Sequence, residues 1–430
     1  MKQKPELMAP VGNWTCLTAA LKSGADGIYF GLHGLNMRSN YRNFVPSEMP
    51  KIARQCHASG ARAYLALNTI IYENELTRVD RILKSAAKAG IDAVICSDLA
   101  VVQKATALKL PVFLSTQMSL SNSEGLAFFY RTFGIRRFVL ARECSLTQIR
   151  AIRRRLAAEL GAEAANIQLE VFAHGAMCVS VSGRCFLSEN RVGKSANRGA
   201  CTQPCRREYK LLDDEGQASF RLGDNYLLSP EDLCTLPFIE QLLDAGVASL
   251  KIEGRARTPE YVSVVTTAYR RALDFYFENH RLRNFKTEFQ SLKASLLKDL
   301  DGVYHRGLSP GFFMGKPVEQ WSAAGGSRAT QSKSHVGVVV KYYRKAGAAE
   351  IEVRAGFSVG DELMIQGPTT GVVRAKVDSM QVEHQPREKA SRGDRVAIRV
   401  GEVVRSRDRV FMVTPARKSS KPNAPQGGCP

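Results

Sequence analysis

The sequence predicts an α/β protein: a (β/α)8 TIM-like barrel with a cysteine-rich insertion, plus a small C-terminal β-barrel domain. Three observations predict it. Between the N-terminus and Arg255, short apolar or β-branched runs alternate with amphipathic helical stretches. A glycine stands just ahead of many of these runs, where a helix would end and the chain turn back. From Val336 onward the pattern changes to short alternating strands separated by glycine-bearing turns.

In chain order, strands are expected at Glu6–Val11, Gly27–Leu32, Arg62–Asn68, Asp92–Ser97, Val112–Gln117, Arg137–Ala141, Gln168–Ala173 and Ser249–Glu253. Between them, Met49, Ile52, Ala53 and Cys56 recur at helical spacing, as do Val79, Ile82, Leu83 and Ala86. Gly24, Gly60, Gly90, Gly134 and Gly246 fit the helix-ending position. A doubly wound open sheet is the alternative. It would place a glycine-rich phosphate fingerprint after the first strand, and Ala9-Pro-Val-Gly-Asn-Trp does not supply one. The barrel is assigned to residues 1–280, ending in a helix over Pro259–Glu278. Residues 281–334 read as an irregular connection, and 335–415 as the small β-barrel, with strands at Val336–Lys341, Ala349–Arg354, Glu362–Gln366, Gly371–Met380, Val396–Val400 and Arg409–Val413. The last stretch, 416–430, has little that could pack and reads as a disordered tail. Cys429 within it reads as incidental.

Length and composition narrow the function. The chain of 430 residues suffices for two or three domains. No window approaches the ~20 apolar residues of a membrane span, and the N-terminal segment lacks a secretory apolar core. A cytoplasmic protein without a membrane is expected, so the ten cysteines should be reduced thiols or metal ligands. The formal net charge of +20 favours a polyanionic partner, and nucleic acid comes first.

One connection breaks the barrel rhythm. An insertion, 175–229, leaves the carboxyl end of the seventh strand, the face where barrel enzymes place their chemistry. It carries Cys178, Cys185, Cys201 and Cys205, separated by six, fifteen and three residues. Four thiolates suit a cubane iron–sulfur cluster or structural zinc. Structural zinc usually draws on two tight pairs, and only Cys201–Cys205 is tight here. The wide first gap therefore favours the cluster. Cys234, near the expected start of the following helix, competes with Cys205 as fourth ligand. Cys205 is preferred because one loop can present it with Cys201. Ser182-Gly183 and Asn197-Arg-Gly199 are expected to supply turns and N–H groups to the sulfurs.

At the barrel mouth, Asn68, Asp98, Gln117, Arg142, Glu143, His174, Lys251, Glu253 and Arg255 fall at strand ends. In Ser249-Leu-Lys-Ile-Glu-Gly-Arg, Lys251 and Glu253 share one face at period two. They could form an internal salt bridge. Alternatively Glu253 and Arg255 act on substrate, with Arg142 or Arg255 gripping a carboxylate or phosphate. His174 is a candidate for acid–base chemistry, or for a core histidine. Arg38 and Arg206 join Arg142 and Lys251 as substrate-binding candidates. Arg42, Arg184, Arg191, Lys194, Arg198 and Arg207 add charge, and Tyr41, Phe44 and Phe186 could stack on bases.

These residues resemble a known family. Pro5-Glu-Leu-Met-Ala-Pro-Val-Gly, Ala25-Asp-Gly-Ile-Tyr-Phe-Gly, Phe172-Ala-His-Gly-Ala-Met-Cys-Val-Ser-Val-Ser-Gly-Arg-Cys, Ser195-Ala-Asn-Arg-Gly-Ala-Cys-Thr-Gln-Pro-Cys-Arg and Leu250-Lys-Ile-Glu-Gly-Arg together resemble peptidase family U-32, over nearly the whole chain. The family was named for collagenase-like peptidases. Several members are instead oxygen-independent hydroxylases with a 4Fe–4S cluster, acting on RNA or on the ubiquinone ring. The paired Cys201-Thr-Gln-Pro-Cys205 and the chain length resemble the branch that hydroxylates carbon 5 of the tRNA wobble uridine. The resemblance implies Cys178, Cys185, Cys201 and Cys205 as cluster ligands, tRNA as partner and prephenate as hydroxyl donor. The alternatives it leaves are proteolysis and hydroxylation of rRNA or a ubiquinone precursor. A partner subunit and the oligomeric state stay open.

Overall fold

The computed structural model describes residues 3–182, 184–207, 210–212, 219–221, 228–317, 320–322 and 326–416. The chain divides into two compact units. The first comprises 1–300, 304–328 and 367–372, and the second comprises 301–303, 329–366 and 373–430. The expected tail lies, beyond Ala416, outside the described residues.

In the first unit all eight expected strands form. They are β1 (Glu6–Val11), β2 (Gly27–Gly31), β3 (Arg62–Leu67), β4 (Ala93–Cys96), β5 (Val112–Leu114), β6 (Arg137–Val139), β7 (Gln168–Gly175) and a closing strand, Ser249–Ile252. Each pairs in parallel with the next, and the closing strand pairs with both β7 and β1 to complete the barrel. Helices bury their apolar stripes on the outside, as Met49, Ile52, Ala53 and Cys56 do from Met49–Ala58. The five helix-ending glycines all adopt positive φ, between 66° and 81°. Inside, Met8, Tyr29, Tyr64, Ala93 and Ile95 fill the barrel with one layer of side chains.

Three departures follow from local chemistry. A helix occupies Phe285–Asp301, within the stretch expected to be irregular. Its buried face is Phe289, Lys293, Leu296 and Leu300. The lysine interrupts the apolar stripe and conceals it, yet it is buried because Nζ reaches Glu240 at 2.9 Å and the Pro237 carbonyl at 2.8 Å. Second, Cys234 lies just ahead of the helical turn Leu236–Phe238, as expected, but is itself in a strand. It ends a short strand, Asp232–Cys234, that runs antiparallel to β7 and places Cys234 opposite His174. The next α-helix begins at Ile239. Third, the first unit continues past residue 280 to include that helix and the Tyr304–Arg328 segment.

The second unit is β-rich, with strands at Gln331–Tyr343, Ala348–Val353, Glu362–Gly367, Gly371–Lys376, Met380–Val382, Gln385–Arg387, Arg395–Arg399 and Arg409–Pro415 in one eight-stranded sheet. Its core gathers Val336, Ile351, Leu363, Ile365, Ile398 and Val410. The expected strand Gly371–Met380 is two strands, and a hairpin at Met380–Arg387 was not expected. Glu383 and His384 both have positive φ, 50° and 68°, as a type I′ turn requires. Neither residue is the asparagine or glycine that advertises such a turn.

Candidate active site at the barrel mouth

The carboxyl ends of the barrel strands surround a small pocket of about 40 Å3 that opens to solvent. Two walls differ in chemistry. Arg38, Arg142, Lys251, Glu253 and Arg255 make up its charged wall, and Asn68, Ser115, Thr116 and Gln117 its neutral polar part, with Tyr29 and Phe172 also in the lining. Glu253 is the hub. Arg38 Nη2 lies 2.6 Å from its Oε1 and Arg142 Nη2 lies 3.8 Å from its Oε2. Burial would raise the Glu253 pKa, but the charges of Arg38, Arg142 and Arg255 outweigh it and hold the carboxyl at about 2. Arg255 donates to Asn36 Oδ1 at 2.9 Å, and burial lowers its pKa to about 10. Gly31 makes room for it, since a Cβ there would come within 2.6 Å of Arg255 Nη1.

Lys251 and Glu253 do not pair with each other. Lys251 Nζ donates to Glu170 Oε1 at 2.9 Å, and Arg137 contacts Glu170 at 3.0 Å and Glu6 at 2.9 Å. All four lie inside the barrel, so the lysine at the pocket floor is neutralised from below. That leaves three arginines against one carboxylate in the wall above, an excess of two positive charges.

His174 does not reach the pocket. Phe172 pairs with Lys251 and His174 pairs with Ile252, so Ala173 is an extra residue in β7. Such a bulge reverses the alternation of faces. His174 instead packs beside Tyr261 and Tyr269, with ring centroids at 6.0 and 5.7 Å. Burial, with the charge of Arg257, lowers its pKa to about 3. A neutral imidazole behind the wall does not serve as proton donor to the pocket. Asp98 is likewise structural, accepting from the N–H groups of Ala100 and Ile71. Phe44 is buried against Trp14 and Phe30 and offers no free face for a base, whereas Tyr41 and Phe186 are exposed.

The cysteine segment docks beside this pocket. Arg142 Nη1 donates to the Ala176 carbonyl at 2.7 Å, two residues before Cys178. Ser39, next to Arg38, donates to the Arg198 carbonyl at 3.1 Å, and Arg198 pairs with Glu75. Gly199 fits because it lacks a side chain: its φ is +81°, and a Cβ would stand 2.0 Å from the Asn36 carbonyl oxygen. Arg206 is not available to substrate. It donates to Ser229 Oγ at 2.8 Å, to the Pro230 carbonyl at 2.7 Å and to the Met177 carbonyl, tying both ends of the insertion together.

Cys178 is exposed, and Cys185, Cys201 and Cys205 are half-buried. Burial raises the Cys205 pKa, Arg206 opposes the rise, and Cys178, Cys201 and Cys185 reinforce it electrostatically, so the four thiols share one neighbourhood. Cys234 belongs elsewhere, buried against Tyr269 Oη at 3.9 Å. Cys201 Sγ accepts from the Gln203 N–H at 3.4 Å and from Ser188 Oγ at 3.9 Å. These donors differ from the expected ones: Asn197 Oδ1 accepts from the Cys185 N–H at 2.9 Å, and Gly183 lies outside the described residues. Among the described residues no three His, Cys, Asp or Glu side chains are gathered tightly enough for one metal ion. A tetrahedral zinc, with Zn–S near ~2.3 Å, needs that tight gathering. A cubane puts each thiolate on a different iron and suits a wider set of four sulfurs.

Sequence reasoning missed Glu170 as the partner of Lys251, and Asn36 as the partner of Arg255. Both signals were weak. Glu170 sits within an otherwise apolar strand, where a charge needs a buried partner, and Asn36 stands outside any strand end.

The chain matches the model of peptidase family U32 over residues 12–323 and that of the peptidase family U32 C-terminal domain over 331–408. A collagenase of Porphyromonas gingivalis is 40% identical over 94% of this chain and 97% of its own. An uncharacterized protease of Methanocaldococcus jannaschii is 39% identical over 95% and 98%. The tRNA hydroxylation protein P1 of Bacillus subtilis is 32% identical over 85% and 84%. With two family models covering both units and relatives of this identity along nearly its full length, the chain belongs to peptidase family U32.

Proposed function

We propose that this protein is an enzyme that hydroxylates RNA, specifically carbon 5 of the tRNA wobble uridine, in the cytoplasm. The observation that carries the reading is the arginine-rich pocket joined through Arg142 to the segment bearing four clustered cysteines. The similarity to a tRNA hydroxylation protein supports it, as does the net charge of +20, which suits a phosphate-bearing partner. Cys178, Cys185, Cys201 and Cys205 would hold a 4Fe–4S cluster, and Cys201 Sγ already accepts from two donors. When bound, such a cluster supplies single electrons. Prephenate, a dicarboxylate, is the proposed oxygen donor, and the two-charge excess of the wall formed by Arg38, Arg142 and Arg255 matches it. The reaction balances without dioxygen. C–H becomes C–OH, and the donor, having lost one oxygen atom, ends two electrons more reduced.

Deleting the gene and digesting total tRNA for mass spectrometry tests the reading. Loss of 5-hydroxyuridine-derived nucleosides is expected, and an unchanged profile in a strain without a paralogue overturns it.

Proteolysis is the second reading, favoured by the names of the two relatives at 39–40% identity. Nucleophilic catalysis needs a serine or cysteine beside a base. Among the described residues His174 has no serine or cysteine in hydrogen-bond contact, and it is held neutral behind the wall. Gelatin cleavage by the purified protein that persists in Cys178→Ala would favour this reading.

A further inference from the structure

The neutral wall of the pocket has fixed polarity. The Met37 backbone N–H can only donate, and it donates to Asn68 Oδ1 at 3.3 Å. That bond orients the Asn68 amide so that Nδ2 faces Gln117, where it donates to Oε1 at 3.2 Å. Ser115 Oγ donates to the same oxygen. The relay therefore fixes the Gln117 amide as well. Both amide oxygens are occupied from within the protein, and no described residue accepts from Gln117 Nε2. An amide flip at either residue would set donor against donor, so the orientation follows from the backbone N–H outward. Gln117 Nε2 is thus the donor that this cluster leaves for a ligand, in a lining that also carries Arg38, Arg142 and Arg255.

We infer that Gln117, oriented by Asn68 and Met37, is a specificity-determining residue that reads a ring carbonyl, so the pocket accepts a 4-oxo pyrimidine (uracil type) and rejects a 4-amino one (cytosine type). This rests on the proposed action on RNA and names the residue that selects the base. A uracil places a carbonyl where Nε2 donates. Cytosine places an amino group there, leaving two donors facing each other with no acceptor. Leaving such groups unpaired in a pocket weakens binding by at least about tenfold. Extrusion of the target base into a pocket is the general way enzymes reach ring atoms.

The test uses the full-length chain, purified anaerobically, and two synthetic RNA hairpins that differ only by uridine or cytidine at one loop position. Fluorescence anisotropy should give at least about tenfold tighter binding of the uridine hairpin. In Gln117→Glu the internal acceptor is kept and the pocket-facing donor becomes an acceptor, so the preference should collapse or reverse. Gln117→Ala should abolish it. Equal binding of the two hairpins by the unsubstituted protein overturns the inference, as does a preference for cytidine. A Gln117→Glu variant that melts like the parent yet keeps its full uridine preference overturns it too. Failure of the inference and failure of the proposed activity separate cleanly. A protein that binds the two hairpins alike, while its deletion still removes hydroxylated uridine, loses only the base-reading role of Gln117. A tenfold uridine preference with unchanged tRNA on deletion keeps the base-reading role and removes the activity.

Discussion

Replacing Glu253 with Gln keeps its shape and removes its charge. In the native pocket the carboxylate is 12% exposed and faces Arg38, Arg142 and Arg255, which hold its pKa at about 2 against an ordinary 4.5. That gap corresponds to about 3 kcal/mol of stability at neutral pH. The sign follows from the direction. A depressed folded pKa means that the contribution is complete above about 4.5 and disappears as pH falls through about 2. The parent should exceed Glu253→Gln by about 3 kcal/mol at pH 7 and by less than half of that at pH 3. Removing the counter-charge of the buried Arg255 and the partly buried Arg38 and Arg142 makes the loss at neutral pH no smaller. Urea unfolding of both proteins at pH 7, 5, 4 and 3 measures the margin. Equal stability at pH 7, or a margin that does not shrink with acid, would refute the assignment of Glu253 as the charge hub.

Arg206→Ala removes three bonds that tie the insertion's ends together; it should fold with about 2–4 kcal/mol less stability and retain severalfold less iron after anaerobic reconstitution, measured by iron and sulfide analysis. Cys205→Ser should lose most of its iron while Cys234→Ser keeps it, because Cys234 lies against Tyr269 rather than among the other thiols; equal losses would contradict that grouping. Burial holds His174 at about 3, below its ordinary 6.5, so the unfolded chain takes up a proton first and stability falls as pH drops below 6.5. His174→Gln should flatten that slope and leave the pH profile of activity without a lost ionisation near neutrality. Lys251→Met strands Glu170 with Arg137 alone and should cost about 3–5 kcal/mol in thermal or urea unfolding.

Much of the first unit was legible because parallel barrel strands are buried on both faces and stand out as apolar runs. Gly24, Gly60, Gly90, Gly134 and Gly246 marked the turns before them. The Phe285–Asp301 helix was hidden by Lys293, a charge on a buried face that only its partner Glu240 explains. At the site, strand-end placement brought Arg142, Lys251, Glu253 and Arg255 to the pocket as expected. It failed for His174 because period-two reasoning assumes an uninterrupted ladder, and nothing in Phe172-Ala-His-Gly announces a bulge. The partner of Lys251 was missed because the pairing of β7 with the closing strand joins residues 81 apart in sequence. Arg206 looked like a free cation for the same reason: its acceptors are mostly backbone carbonyls, which no side-chain pattern reveals.

Arg142 has two attachments, one nitrogen on the Ala176 carbonyl and another near Glu253. A dianion that draws the guanidinium inward alters the hold on the backbone leading to Cys178. Reciprocity then applies: whatever a ligand's arrival does to the seating of that loop, the seating of the loop does to the ligand's affinity. Affinity for the pocket's occupant and the seating of the Cys178 loop are thus linked through Arg142.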